Sequence, residues 1–196
     1  EEYGECARLG GASPLVAALE LNISCPNVHG GGAAFGTDPA LAAAATRQAR
    51  RATDKPLFVK LSPNVTDIAE IARACEAEGA DGLSLINTVS AMRIDVRRRT
   101  PVLANVTGGL SGPGVFPLAL RMVWQVCKAV DIPVIGMGGV AEVDDILEMV
   151  LAGASAVQVG CGNLIRPTAC WDLVLALPAR MDELGIKNLE EIRGAV

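Results

Sequence analysis

Glu78-Gly79-Ala80-Asp81-Gly82 and Ala152-Gly153-Ala154-Ser155-Ala156 are the stretches whose reading decides the fold. In each, a helical pattern stops at a glycine and a strand-like run begins almost at once, Gly82–Ile86 after the first and Ala156–Val159 after the second. Glycine suits the position just past a helix because the left-handed backbone needed there carries no Cβ penalty. The same joint occurring twice is what a chain built from like strand–helix units requires.

Three more strand-like runs lie around these joints: Leu19–Ile23, Leu57–Leu61 and Pro133–Gly136. Helical patterns fall between them. Asp38 offers an N-cap, with Pro39 at the first helical position and Ala40–Arg51 as strong helix formers. Thr66 and Asp67 open the next helix, in which Ile68, Ile71, Ala72 and Cys75 have helical spacing. Val115–Val130 and Val143–Leu151 behave alike, the latter with Glu142, Asp144 and Asp145 at its positive end. The alternation predicts an α/β fold with a parallel sheet, either doubly wound or closed into a barrel. The repeated joint favours a (β/α)8 TIM barrel in a single domain over residues 1–196, with about five of its strands present. The interval Asn87–Ile132 is too long for one loop and one helix, and predicts an excursion around Ile94–Val106 above the barrel mouth. Its run Arg97-Arg98-Arg99 reads as a solvated face, a subunit contact or a patch that steers substrate.

At 196 residues the chain is short of the roughly 250 of a complete barrel. Glu1–Arg8 reads as the tail of a helix already under way, so the sequence is expected to be the later part of a barrel whose first strands lie elsewhere, and to bind its ligand poorly as a bare fragment. Hydrophobic residues make up 51% of the chain but aromatics only 3%, with 21 glycines, as an α/β protein has. No apolar run approaches the ~18 residues that span a bilayer, and no secretion signal is visible. A net charge of −5 argues against a nucleic-acid surface. Six scattered cysteines, no C-x-x-C and a single histidine argue against a metal or iron–sulfur site in this chain. Free thiols without a secretion signal point to the cytoplasm.

Barrel chemistry gathers at the C-terminal ends of the strands. The first exit reads Asn22-Ile23-Ser24-Cys25-Pro26-Asn27, followed by Gly30-Gly31-Gly32. The others are Lys60, Asn87-Thr88, Gly136-Met137-Gly138-Gly139 and Gly160-Cys161-Gly162. The glycine exits leave N–H groups free to approach a phosphate, with the following helix adding its positive end; the plain alternative is tight turns with nothing bound. Gly136-x-Gly138-x-x-Ala141 also fits a relaxed dinucleotide fingerprint, but the next strand ends in Val157-Gln158-Val159, without an acid for a ribose. Lys60, in a half-buried strand, reads either as an ion-pair partner of Glu20 or as a cation beside a flavin that becomes anionic on reduction. Asn22, Asn27 and Asn87 suit a planar ring bearing carbonyl, N–H and carboxylate groups. Cys25 by position alone reads as either a buried, inert thiol or a reactive one.

Together, Glu20-Leu21-Asn22-Ile23-Ser24-Cys25-Pro26-Asn27-Val28, Phe35-Gly36-Thr37-Asp38-Pro39 and Val59-Lys60-Leu61-Ser62-Pro63-Asn64 strongly resemble the class 1 dihydroorotate dehydrogenases, particularly subclass 1B. Ile86-Asn87-Thr88, Gly108-Gly109-Leu110-Ser111-Gly112-Pro113 and Gly136-Met137-Gly138-Gly139 extend the resemblance over nearly the whole chain. It implies an FMN enzyme that oxidises dihydroorotate to orotate in pyrimidine synthesis. Cys25 matches the family's catalytic base, which takes the C5 proton while the C6 hydride passes to FMN. Asn22, Asn87 and Thr88 match substrate positions, with Asn27 added, and Asn22, Lys60, Ile86, Gly112, Gly138, Gly139, Gly160 and Cys161 match FMN positions. The subclass further implies a homodimer of catalytic subunits inside a heterotetramer, with a partner subunit that carries FAD and a 2Fe–2S cluster and passes electrons to NAD. His29 stands where lysine is common and Cys161 where threonine is common, neither in a role that demands the usual side chain. The family's first strands supply another FMN-contacting lysine and further substrate asparagines, which this sequence lacks. A pyrimidine-reducing domain like that of dihydropyrimidine dehydrogenase is the competing enzyme reading, and a non-catalytic flavin-binding scaffold the competing reading outside catalysis.

Overall fold

A computed structural model describes residues 2–24 and 35–196. Cys25, Asn27, His29 and the run Gly30-Gly31-Gly32 lie outside the described residues. In chain order the elements are α1 (Glu2–Gly11), β1 (Leu19–Asn22), α2 (Pro39–Arg50), β2 (Leu57–Lys60), α3 (Ile68–Ala77) and β3 (Gly82–Leu85). Four short strands follow, β4 (Val89–Met92), β5 (Ile94–Asp95), β6 (Thr100–Pro101) and β7 (Thr107–Leu110). A 3-10 turn, Pro113–Val115, then leads into α4 (Phe116–Cys127), β8 (Val134–Met137), α5 (Val143–Leu151), β9 (Ala156–Gln158), α6 (Cys161–Ile165) and α7 (Ala169–Glu183).

The two repeated joints are the same backbone device. Gly79 and Gly153 sit at φ +86° and +112°. Ala80 N–H donates to Cys75 O at 3.2 Å and Gly79 N–H to Glu76 O at 3.0 Å. Ala154 N–H to Met149 O at 3.0 Å and Gly153 N–H to Val150 O at 2.9 Å repeat the pattern. These are paired Schellman bonds, which satisfy the last carbonyls of each helix. The next residue then locks onto the preceding strand, Asp81 N–H on Leu57 O and Ser155 N–H on Val134 O, each at 2.8 Å.

Asp81 adds a bond of its own. Its Oδ2 accepts from the Leu57 N–H at 2.8 Å and from Arg50 Nη1 at 2.7 Å, tying the start of β2 to α2 and the joint. Leu57 is buried, so its N–H has no water to fall back on. Asp81→Ala is therefore expected to cost about 1–3 kcal/mol. Thermal melting should show a fall of roughly 2–10 °C; an unchanged midpoint would mean that the carboxylate contributes nothing to the joint.

The strands β1-β2-β3-β8-β9 form one parallel sheet in that order. Because the order follows the chain without reversal, right-handed crossovers place the connecting helices on one face. A doubly wound sheet, whose order reverses, is not what these residues form. Side chains alternate between faces along a strand. Leu21, Leu57, Val59, Leu61, Leu83, Leu85 and Val134 are buried and share a core with Ala45, Ile71, Cys75, Val123 and Met149 of the helices. The register pairs Asn22 with Lys60 and Lys60 with Ser84, and so gathers Glu20, Asn22, Lys60, Ser84 and Gln158 on the opposite, polar face.

The expected N-caps are present. Asp38 Oδ1 accepts from Leu41 N–H at 3.0 Å, and Asp67 Oδ1 from Ala69 N–H at 2.9 Å. The helix expected over Val115–Val130 starts at Phe116 and ends at Cys127. The excursion is wider and more ordered than Ile94–Val106: β4 pairs antiparallel with β7, and β5 with β6, from Val89 to Leu110. Arg97 and Arg98 are exposed at its tip, their N–H groups held by Asp95 Oδ1 at 2.9 and 3.0 Å.

Candidate functional site

A cavity of about 410 Å³ opens where β2, β3, β8 and β9 end, on the polar face of the sheet. Of the residues singled out from the sequence, Lys60, Ile86, Asn87, Thr88, Gly138, Gly139, Gly160 and Cys161 all line it. Gly112 flanks it, since a Cβ on Gly139 would lie 2.7 Å from Gly112 O. Asn22 reaches it through a hydrogen bond. Cys25 and Asn27 lie outside the described residues.

The polar wall is a network anchored on Asn87. Its Nδ2 donates to Ser24 Oγ at 2.8 Å, Ser24 O at 3.2 Å and Asn22 Oδ1 at 3.3 Å, and its Oδ1 accepts from Thr88 N–H at 2.8 Å. Ser24 Oγ in turn donates to Asn22 Oδ1 at 3.1 Å. The acceptor ends of both amides are thus occupied, which fixes their planes. Asn64 braces the same wall, with Nδ2 donating to Thr88 O at 3.2 Å and Oδ1 accepting from Ser90 N–H at 2.8 Å.

The glycine end is built differently from the sequence expectation. Gly138 and Gly139 have φ +124° and +79°, a region favouring glycine. They do not abut a free helix end, because Val140–Glu142 intervene and α5 closes its own N-terminus. Asp145 Oδ2 accepts from Ala141 N–H at 2.7 Å and Glu142 N–H at 2.9 Å, and Glu142 completes the capping box. At this exit the expected help from a positive helix end is corrected by these carboxylates, which already satisfy the end of α5, whereas the helix that starts at Cys161 has no side-chain cap. Gly138, Gly139, Gly160 and Cys161 line the cavity beside this turn. A Cβ on Gly160 would meet nothing within 4 Å, so no protein atom crowds that position. That open space belongs to the cavity.

The sequence profile of the family described as "Dihydroorotate dehydrogenase" matches residues 1–181. The chain belongs to the dihydroorotate dehydrogenase family. Among its relatives is the "Dihydroorotate dehydrogenase B (NAD(+)), catalytic subunit" of Exiguobacterium sibiricum, 57% identical over 194 residues, which are 99% of this chain and 63% of the relative. The proteins of the same name from Trichlorobacter lovleyi and Halalkalibacterium halodurans are 56% and 55% identical, with 100% and 98% of this chain and 64% and 63% of theirs covered. The chain thus spans about 63% of the length of the relatives it matches.

Lys60 does pair with Glu20, Nζ to Oε1 at 3.5 Å, while also lining the cavity. The ion-pair reading and the cavity reading of Lys60 are therefore compatible. Leu110, Ser111, Val115, Gln158 and Leu164 also line the cavity and were not singled out as site residues. Gln158 carried a signal: it is the polar residue of Val157-Gln158-Val159, where alternation turns it away from the core. Leu110 and Ser111 stand in the quoted Gly108–Pro113 motif, but their place at the cavity follows from the β4–β7 ribbon. Burial pushes the Cys75 and Cys127 thiols up to about 11, which leaves them protonated and unreactive at neutral pH. Among the described residues, no group of three or more His, Cys, Asp or Glu stands together as metal ligands.

Proposed function

We propose that this chain is the larger part of the catalytic subunit of an FMN-dependent dihydroorotate dehydrogenase, which oxidises dihydroorotate to orotate in pyrimidine synthesis. The observation that carries the reading is the meeting of Lys60, Asn87, Thr88, Gly138, Gly139, Gly160 and Cys161 around one cavity, in a chain whose relatives bear that name. A volume near 410 Å³ lies in the roughly 300–1,000 Å³ range of small-ligand sites.

The residues present fit FMN. The glycine end offers backbone N–H groups and the unfilled space at Gly160 to a phosphate. Lys60 offers a cation and the Asn22–Asn87 network fixed amides to the polar rings. Gly112, Gly138, Gly139, Gly160 and Cys161 would hold the phosphate end, Lys60, Ile86 and Asn22 the flavin, and Asn22, Asn27, Asn87 and Thr88 the substrate. Bound FMN would supply an acceptor for the electron pair leaving C6 of the substrate. Cys25 would remove the proton from C5, its thiolate being the competent form.

The sheet is proposed to be part of a (β/α)8 TIM barrel. Its unreversed order, its polar face and the exposed Leu164, Ile165, Trp171, Val174 and Leu175 beyond the β9 edge all support closure by further strands. The relatives' name, "B (NAD(+)), catalytic subunit", supports a partner subunit, proposed to carry FAD and a 2Fe–2S cluster and to reduce NAD in a heterotetramer built on a catalytic homodimer. A cytoplasmic place accords with the free thiols, and among the described residues no helix is long and apolar enough to cross a membrane.

The test is the cofactor itself. The purified full-length protein carrying this sequence should be yellow and release close to one FMN per chain, identified by chromatography and mass. FAD, or no flavin at all, would overturn the reading.

A further inference from the structure

Glu20 stands on the polar face two residues before Asn22 in β1. Both of its carboxylate oxygens are engaged. Oε1 lies 3.5 Å from Lys60 Nζ, and Oε2 accepts the Ser84 hydroxyl proton at 2.8 Å. A carboxylate only accepts, so the single proton of Ser84 points at Glu20 and holds it in place. Ser84 is fully buried, on β3 and in register with Lys60. Three adjacent strands therefore supply a fixed anion, an anchor for it and the cation that lines the cavity.

We propose that Glu20 is a positioning residue that holds Lys60 at the cavity wall and offsets its charge, so that the pair sets how readily a flavin bound there is reduced. The inference rests on the FMN reading of the cavity. Reduction adds negative charge to a flavin. A lone lysine beside it would favour the reduced form strongly, whereas a Glu20–Lys60 pair presents little net charge. Glu20 acts through the charge Lys60 presents, without itself being among the residues that line the cavity.

The experiment is an anaerobic redox titration of the flavin-loaded full-length protein and of three variants, with flavin content measured first. Glu20→Gln keeps the size and the partner for Ser84 but removes the anion. It should raise the reduced-to-oxidised ratio at a given potential about tenfold, a positive shift of about 30 mV for a two-electron couple. Lys60→Met should move the ratio about tenfold the other way. The double variant Glu20→Gln/Lys60→Met is again neutral as a pair, and should return to within about threefold of the parent. A merely structural role for Glu20 would not produce opposite signs that cancel. An unmoved or lowered potential in Glu20→Gln, or a double variant that stays displaced, overturns the role of Glu20 while leaving the cavity reading intact. Parent protein without flavin overturns the cavity reading, and this inference with it.

Discussion

Replacing Cys25 by alanine in the full-length protein is expected to slow reduction of its flavin by dihydroorotate by roughly two to four orders of magnitude, the usual share of a positioned base. The flavin should stay bound. Reoxidation by an artificial acceptor should stay near normal, because it removes no proton from carbon. An unperturbed thiol has a pKa of about 8.5, so only a few per cent is thiolate at neutral pH unless its surroundings lower that value. The thiolate is the active form, so the parent's rate of flavin bleaching should rise with pH and level off above the thiol's pKa in the substrate complex. Cys25→Ser should also be slow, because a hydroxyl needs surroundings built to accept its proton. Stopped-flow bleaching across pH reads all of this, and an alanine variant as fast as the parent would remove Cys25 from the role of base.

The second large effect is expected at Gly139. Its φ of +79° is one that valine strongly resists, and any Cβ there would fall 2.7 Å from Gly112 O and Phe116 N and 2.9 Å from Phe116 Cβ. Gly139→Val should therefore push apart the turn that offers N–H groups to the phosphate and abolish flavin retention. Gly160→Ala is a second probe of the same end: its Cβ meets no protein atom, and FMN binding should weaken tenfold or more. Cys161→Thr should leave FMN affinity within about a factor of ten, since backbone groups are the donors. Flavin retained by Gly139→Val, or lost in Cys161→Thr alone, would place the phosphate elsewhere.

The parallel core was legible in the sequence because local and long-range signals agree there. Runs such as Leu57–Leu61 and Gly82–Ile86 differ by a residue from the observed Leu57–Lys60 and Gly82–Leu85, and the glycines at 79 and 153 marked the caps. The ribbon from Val89 to Leu110 was legible only as an interval too long for a loop. Its strands are two to four residues long, and Thr107-Gly108-Gly109-Leu110 owes its strand form to pairing with β4 rather than to its own propensity. Helix α7 is not legible in the sequence: it buries only Ala169 and Leu173, leaves Trp171, Val174 and Leu175 exposed, and contains Pro178, so no apolar stripe announces it.

At the site, Lys60, Asn87, Thr88 and the glycines could be picked out because they stand at strand exits, where the fold gathers chemistry. The geometry among them was not legible. Asn87 bonding Ser24, Asn64 bracing Thr88 and Ser84 holding Glu20 join residues 63, 24 and 64 positions apart, and follow from how the strands are brought together. The acidic start of α5 was visible in Glu142, Asp144 and Asp145, yet only the capping bonds show that the Ala141 and Glu142 N–H groups are already taken.

On the proposed function, this cavity oxidises dihydroorotate with FMN. Anaerobic mixing of the purified flavin-loaded full-length protein with dihydroorotate, and in parallel with dihydrouracil, tests it in one step. Dihydroorotate should bleach the flavin completely within the mixing experiment and yield one orotate per flavin, while dihydrouracil leaves the spectrum unchanged over the same time. A flavin that dihydroorotate does not bleach, or that dihydrouracil bleaches as fast, would contradict the account.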